Sequence, residues 1–255
     1  MTSLLRVYRI FALVAWSLFI ALLSMPYQIR GGWRSIKRIS RITQLWSKGV
    51  ARIIGLRVTI SGNIPETRGG LVVSNHVSYL DIIAHGSVLP LRCSPKTEIA
   101  QWPVLGWYVG LNRPIWTDRE SRQASQKTLR DFTKTMKRGI FLIVYPEGTS
   151  TDGKKGILPF KSTSFEAAIT GNAPVIPVIT RYKEIRGEPS VSWYGEMTLL
   201  PHIWQVLARP RIEARLRFLP PILPNGRSRK EFAAHLHSIM SDAYAKTLIH
   251  KVADV

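Results

Sequence analysis

Residues 10–25, IFALVAWSLFIALLSM, carry no formal charge, and no other segment limits the fold of this chain as sharply. A run this apolar has to be covered by protein or by lipid. A full bilayer span takes about 20 apolar residues, with about 17 as a practical minimum, and Leu4, Leu5, Val7 and Tyr8 extend the run upstream. The expected structures are a short span, half of a re-entrant hairpin, or the core of a signal peptide. A signal peptide calls for a small-x-small cleavage site after the apolar run, whereas this chain continues Ser24-Met25-Pro26-Tyr27-Gln28 and then turns strongly basic. In residues 33–55, Trp33, Ile36, Ile39, Leu45, Trp46, Val50 and Ile53 recur near the helical period, with Arg34, Lys37, Arg38, Arg41, Lys48 and Arg52 largely between them. That pattern fits a helix in a lipid interface, a helix docked on a protein core, or one that does each along a different half. Basic residues are denser after the apolar run than before it, so the positive-inside bias puts the body of the protein on the cytoplasmic face of the membrane, the inner membrane in a bacterium.

Charge narrows the function classes. The chain has 255 residues, with 36 Lys plus Arg against 16 Asp plus Glu, a formal charge of +20. Hydrophobic residues make up 45%, too many for a disordered polycation, so the excess is carried by a folded body that meets a polyanion. Nucleic acid, an anionic membrane and phosphorylated substrates all qualify. A nucleic-acid binder calls for basic residues interleaved with exposed aromatics or a recognisable binding motif, and neither is found. Cys93 is the only cysteine, so no internal disulfide or cysteine-based zinc site is expected, and the residue reads as a small packing side chain.

From residue 56 the pattern changes to short β-branched runs bounded by Gly, Pro or Asn: 56–61, 71–74, 141–145 and 174–179. These are expected as buried strands. Helices are expected from about 120 to 138 with Gly139 as terminator, from 162 to 170 ending at Gly171, and from 228 to about 250. A short strand is expected between Gly110 and the first of these helices. Asn225-Gly226 and the prolines of 220–224 mark a turn. The fold class that follows is α/β, a mixed and largely parallel sheet covered by helices and preceded by an N-terminal membrane-embedded or interfacial helical segment. Residues 1–54 are expected as the membrane-associating helices and 55–255 as one domain.

Two segments at strand ends carry chemistry. SNHVSYLD, 74–81, follows one strand directly, where ligand crevices of open α/β sheets lie. On one continuous helix His76 and Asp81, five residues apart, would be separated by about 140°. A pair therefore requires His76 in the loop and Asp81 on the first helical turn. Ser78-x-x-Asp81 has the form of a capping box that starts a helix at Tyr79. By itself the motif fits a catalytic pair as well as a helix cap beside a packed histidine. YPEGTSTDG, 145–153, follows another strand, and its turn amides with the hydroxyls of Thr149, Ser150 and Thr151 suit an anion. Lys154, Lys155 and Lys161 follow, with the apolar patch 157–160 between them. Arg119 is either a surface charge or a bidentate clamp on a phosphate. His202, His235, His237 and His250 read as structural or surface residues.

Together these segments resemble the glycerolipid acyltransferases of the lysophosphatidate acyltransferase type. The resemblance spans about residues 50–220 and four motifs in the family's order. NHVSYLD matches the NHx4D block, Arg119 falls at the arginine of the second block, YPEGT matches the FPEGT block, and VIPVI, 175–179, matches the hydrophobic proline block. One NHx4D arises by chance in on the order of one chain in a hundred; four blocks in order do not. The resemblance implies an enzyme with His76 and Asp81 as catalytic residues and Asn75, Arg119, Glu147, Gly148, Thr149 and Lys161 around the substrate. It implies no metal and no cofactor beyond acyl-CoA or acyl-carrier protein as co-substrate. It further implies an N-terminal helical hairpin set in one leaflet beside the active site, and 55–255 as the catalytic domain. The expected acceptor is 1-acyl-sn-glycerol-3-phosphate, giving phosphatidic acid. Lyso-ornithine lipid is the alternative, because Ser150 stands where the family commonly has an arginine, and because EGTSTDG, ILPFKSTSF and YGEMTLLPH look more like that branch. A reading of another class is a non-catalytic, membrane-anchored basic protein that binds anionic lipid or nucleic acid.

Overall fold

A computed structural model describes residues 2–118 and 122–249. Six strands form one sheet in the order β1-β6-β5-β2-β4-β3: β1 (Leu56–Ser61), β2 (Gly70–Ser74), β3 (Leu91–Arg92), β4 (Phe141–Val144), β5 (Val175–Tyr182) and β6 (Ile212–Phe218). Every neighbouring pair is parallel except β5 with β6. The sheet is thus mixed and largely parallel, as the alternation of elements predicts. β2 and β4 are buried along their whole length, because helices cover both faces and leave no side for water.

Successive residues alternate between two cores. Val72, Ile143, Ile176 and Val178 join one, with α2 (Gly32–Ile54), α3 (Leu80–Val88) and α7 (Leu199–Val206). Leu71, Val73, Leu142 and Val175 join the other, with α5 (Arg122–Lys137), α6 (Phe165–Gly171) and α8 (Arg229–Ile249). A further short helix, α4 (Leu105–Gly110), lies before α5.

The N-terminal run is one helix, α1 (Thr2–Arg30), antiparallel to α2. The indole of Trp16 donates to the carbonyl of Trp46 at 3.1 Å, and the indole of Trp46 donates to Ser17 Oγ at 3.1 Å. A Cβ on Gly49 would lie 2.2 Å from the Trp16 ring, so glycine at this point is what lets α1 lie against α2. α2 itself docks on protein along one stripe, burying Ser35, Ile39, Thr43, Ser47, Val50 and Ile54, while Leu45 stays exposed. Gly55 ends it in the left-handed conformation.

Several boundaries differ from expectation. α5 is described from Arg122, and Gly139 follows its end at positive φ. The helix expected over 162–170 opens as a 3-10 turn, Ser162–Ser164, and is capped by Asn172 in the left-handed region after Gly171. β5 runs on to Tyr182 because β6 pairs with it there. The strand expected after Gly110 is not formed: Gly110 ends α4, and the segment beyond meets the sheet side only through Ile115, whose N–H donates to Cys93, and a bridge between Lys96 and Thr117. Pro114 removes a donor there and Arg113 sits at φ 45°, which together break a ladder. α4, α7, β3 and β6 were not anticipated.

Candidate active site

β2 ends at Ser74, and the chain leaves the sheet as a loop before α3 begins at Leu80. His76 stands in that loop and Asp81 on the first turn of the helix, the arrangement that their spacing requires. Asp81 is fully buried. Its Oδ2 accepts the His76 Nδ1 proton at 2.7 Å and the backbone N–H groups of Val77 at 2.7 Å and Ser78 at 3.1 Å. Its Oδ1 accepts the Tyr182 hydroxyl at 2.8 Å. The backward half of the capping box is therefore made. The forward half is weak, with Ser78 Oγ 3.4 Å from the Leu80 nitrogen, and the helix starts one residue later than expected. Two backbone N–H groups already donate to Oδ2, so that oxygen acts as an acceptor, the ring nitrogen facing it, Nδ1, donates, and Nε2 is left for the cleft. The His76 side chain is 20% exposed and lines a cleft of about 680 Å³, within the range of ligand sites.

Three contacts hold the histidine. Tyr145, the residue after β4, stacks on its ring with centroids 4.2 Å apart and planes at 18°. Glu147 Oε1 accepts the His76 N–H at 2.7 Å, while Oε2 accepts the Leu158 N–H at 2.8 Å. The His76 carbonyl accepts the Thr151 N–H at 3.0 Å. Burial pushes the Glu147 carboxyl up from its usual range, against the pull of those two N–H donors and of His76.

Behind the pair lies a buried polar layer. His85 Nδ1 lies 2.6 Å from the Asp81 carbonyl and Nε2 lies 3.1 Å from Thr180 Oγ1. A carbonyl only accepts, so Nδ1 carries the proton and the threonine hydroxyl donates to Nε2. Burial holds this imidazole below its ordinary pKa, and it stays neutral. Asn75 spans to β5, donating to the Thr180 carbonyl at 3.0 Å and accepting its N–H at 2.8 Å.

The residues expected around the substrate divide accordingly. Gly148, Thr149 and Lys161 line the cleft with His76. Asn75 and Glu147 do not: both are buried, and their polar atoms are spent on backbone groups. Through these bonds they position the loops around His76. Arg119 lies outside the described residues. Of the three hydroxyls expected to hold an anion, Ser150 gives its proton to the Trp193 carbonyl, Thr151 is not among the residues lining the cleft, and Thr149 lines it. Gly148 has φ +78°, and a Cβ there would meet Lys161 Nζ at 2.7 Å. Glycine thus supplies both the turn and the space through which the lysine reaches the PEGT segment.

The lining is of two kinds. Ile82, Cys93, Leu129, Phe132 and Ile143 are apolar, while Lys96, Glu98, Asp118 and Lys161 bring both signs of charge. Burial pushes the Cys93 thiol up to about 11, so it is protonated and weakly nucleophilic at neutral pH. Among the described residues no group of three or more His, Cys, Asp or Glu could hold a metal ion. Tyr145, Tyr182, His85 and Trp193 were not anticipated. Tyr182 lies 101 residues from Asp81, and only the adjacency of β5 to β2 brings the two together.

Comparisons with known proteins identify the family and the fold. A family model described as Acyltransferase matches residues 55–181. A lyso-ornithine lipid O-acyltransferase of Rhodobacter capsulatus is 34% identical, over 76% of this chain and 72% of the relative. A 1-acyl-sn-glycerol-3-phosphate acyltransferase of Neisseria meningitidis is 32% identical, over 68% of each. The crystal structure of the 1-acyl-sn-glycerophosphate (LPA) acyltransferase PlsC from Thermotoga maritima superposes with a TM-score of 0.68 at 22% identity, covering 97% of this chain and 98% of that one. With the fold of PlsC, and with a histidine and a carboxylate paired at the carboxyl end of its central strand, the chain belongs to the acyltransferase family that includes the lyso-ornithine lipid and 1-acyl-sn-glycerol-3-phosphate enzymes.

Proposed function

We propose that the protein transfers a fatty acyl group from a thioester, acyl-CoA or acyl-carrier protein, to the hydroxyl of a lysolipid, with lyso-ornithine lipid as the acceptor. The observation that carries the acyl-transfer step is His76: Nδ1 is committed to Asp81 while Nε2 is free beside the cleft. Nε2 takes the proton of the acceptor hydroxyl as its oxygen attacks the thioester carbonyl. The carbon–sulfur bond then breaks, and the imidazolium returns the proton to the departing thiolate. Asp81 keeps the tautomer and stabilises the imidazolium, as the carboxylate does in hydrolase triads. Proton transfer of this kind contributes about 10²- to 10⁴-fold. No acyl-enzyme is required.

Ser150 supports the choice of acceptor. It stands where the family commonly has an arginine, and its hydroxyl is turned to the Trp193 carbonyl, so it offers a phosphate nothing. The cleft carries Glu98 and Asp118 as well as Lys96 and Lys161. That mixture suits a head group bearing both an ammonium and a carboxylate. The phosphate acceptor, 1-acyl-sn-glycerol-3-phosphate, is the second reading, favoured by Lys161 over Gly148.

α1 supports the proposed location. Leu4, Val7, Phe11, Val14, Leu18, Leu22, Met25 and Ile29 recur every three or four residues and are all exposed, so one apolar stripe runs the length of a helix about 43 Å long. Arg9 fastens its first part to the carbonyls of Leu207 at 3.0 Å and Arg209 at 2.6 Å. Gln28 at its far end binds Leu111 and receives Arg113. A helix tied to one body at both ends supports a seat in a single leaflet, and the density of basic residues after the apolar run supports the cytoplasmic face.

The test offers purified enzyme a labelled acyl thioester with lyso-ornithine lipid or lysophosphatidate. The expected result is faster transfer to the aminolipid and none by His76→Ala, which still folds and sediments with vesicles. Preference for lysophosphatidate overturns the acceptor; normal turnover by His76→Ala overturns the mechanism.

A further inference from the structure

The turn that leads into α4 is strained. Val104 has φ 62° and ψ −54°, and the Leu105 N–H donates across it to the Pro103 carbonyl at 2.6 Å, the rare and strained kind of γ-turn. A β-branched residue at such an angle is an outlier, and it persists only where its surroundings offset the strain. Protein surrounds it little here: Val104 is 79% exposed, and Trp107, three residues on, is 60% exposed. Two large apolar side chains held out side by side mark a surface that another body covers.

Aromatic side chains lead from this turn to α1. The Trp107 and Tyr108 rings lie 6.5 Å apart, and those of Tyr108 and Trp46 lie 5.7 Å apart. Trp16 of α1 donates to the Trp46 carbonyl and stacks at 5.5 Å on Phe19, which is exposed. Tyr108 and Leu111 also close on Ile20, Ala21 and Ser24 of α1, and Leu111 accepts the Gln28 amide. Ala21, Ser24 and Gln28 thus face α4, and Leu18, Met25 and Ile29 of the exposed apolar stripe lie about a quarter turn further round the helix. α4 therefore flanks the apolar face of α1, and Trp and Tyr are the residues that favour a membrane–water interface. In the other direction the same segment reaches the site at once, since Glu98, Ile99 and Trp102 line the cleft that holds His76.

We propose that Val104 and Trp107 enter the same leaflet as α1, so that the rim of the cleft at Trp102 touches lipid and a lysolipid reaches His76 with its tail still in the bilayer. The proposal rests on the reading of α1 as a helix seated in one leaflet. It adds a second point of insertion, on the body of the protein, and names the side of the cleft by which the acceptor enters.

Two measurements on the full chain test it. Val104→Cys carries an environment-sensitive maleimide dye, while Cys93, whose thiol burial pushes up to about 11, stays unlabelled at neutral pH. On vesicles of phosphatidylethanolamine and phosphatidylglycerol the emission should move to shorter wavelength and be quenched by lipids brominated in the acyl chain. Emission that stays as in water while the protein sediments with the vesicles overturns the proposal; protein that does not sediment removes the reading of α1 and the proposal with it. The second measurement is kinetic, with lyso-ornithine lipid and lysophosphatidate in turn. Val104→Ser with Trp107→Ser should raise KM for the lysolipid held in those vesicles about 10-fold, the scale of two apolar side chains withdrawn from lipid. Transfer to its short-chain homologue dissolved as monomers stays as in the wild type. Equal losses with both presentations, or none on vesicles, overturn it. Val104→Gly separates insertion from folding, because glycine relaxes the turn: the denaturation midpoint should hold or rise while KM on vesicles still increases, and a lower midpoint overturns the proposal by making Val104 a packing residue. Wild-type protein with position 104 in lipid that acylates neither lysolipid leaves the insertion standing and removes the acyl-transfer reading instead.

Discussion

Asp81 receives four hydrogen bonds in a site that water does not reach, and each donor has a separate effect on His76. The two backbone N–H groups fix the carboxylate, and the imidazole reports its charge. The Tyr182 hydroxyl draws part of that charge away. Asp81→Asn offers an amide where N–H donors converge, which forces the wrong imidazole tautomer; the expected loss in kcat is on the order of 10⁴-fold, as in hydrolase triads. A fall in stability with an unchanged rate would reduce Asp81 to a helix cap. Tyr182→Phe leaves Oδ1 buried without its donor, a cost of about 1–3 kcal/mol. The carboxylate that orients His76 is then held less firmly, so kcat falls along with stability. An unchanged kcat beside the loss of stability would make Tyr182 a packing residue alone. Tyr182 also shows why part of the site escapes the sequence. His76 and Asp81 share one local segment whose spacing can be read directly, while Tyr182 reaches them only through strand order.

Among the buried strands, β2 and β4 are legible as continuous apolar runs, whereas β6, whose apolar residues alternate with charges, is not. β2 and β4 are buried on both faces and read as unbroken Val, Leu and Ile. β6 places Ile212, Ala214, Leu216 and Phe218 inward and Glu213, Arg215 and Arg217 between them, and the charges conceal it. α2 was legible as an amphipathic helix but not in its partner, because periodicity carries no record of what the apolar side meets. Its buried stripe includes Ser35, Ser40, Thr43 and Ser47, small residues that admit a close neighbour. The joint with α1 is correspondingly sensitive. Gly49→Ala forces its methyl into the Trp16 ring, and the expected cost is about 1–3 kcal/mol. Tryptophan emission and the denaturation midpoint, measured together, check it: the midpoint should fall and the emission shift to longer wavelength. No change in either would mean that α1 and α2 separate in solution.

For the molecule as a whole, His85 makes stability depend on pH. Its folded pKa lies below the ordinary 6.5 because burial penalises the charged form. As pH falls through 6.5 the unfolded chain takes up a proton that the native state refuses, so stability declines, by at most about 1.4 kcal/mol per pH unit. His85→Asn keeps an N–H for the Asp81 carbonyl and does not titrate. Its denaturation midpoint should therefore fall less than the wild type's between pH 7.5 and 5.5, and equal falls would assign the effect to other groups. The two fastenings of α1 matter at this scale too. A helix free to roll would let the body hang from the bilayer at any azimuth. With Arg9 and Gln28 both tied to the body, the proposed seating of α1 in one leaflet would remove two rotations and one translation at once, leaving sliding in the plane and spinning about the normal. Meeting a lysolipid would then be a search in two dimensions by a cleft set at a fixed height and tilt.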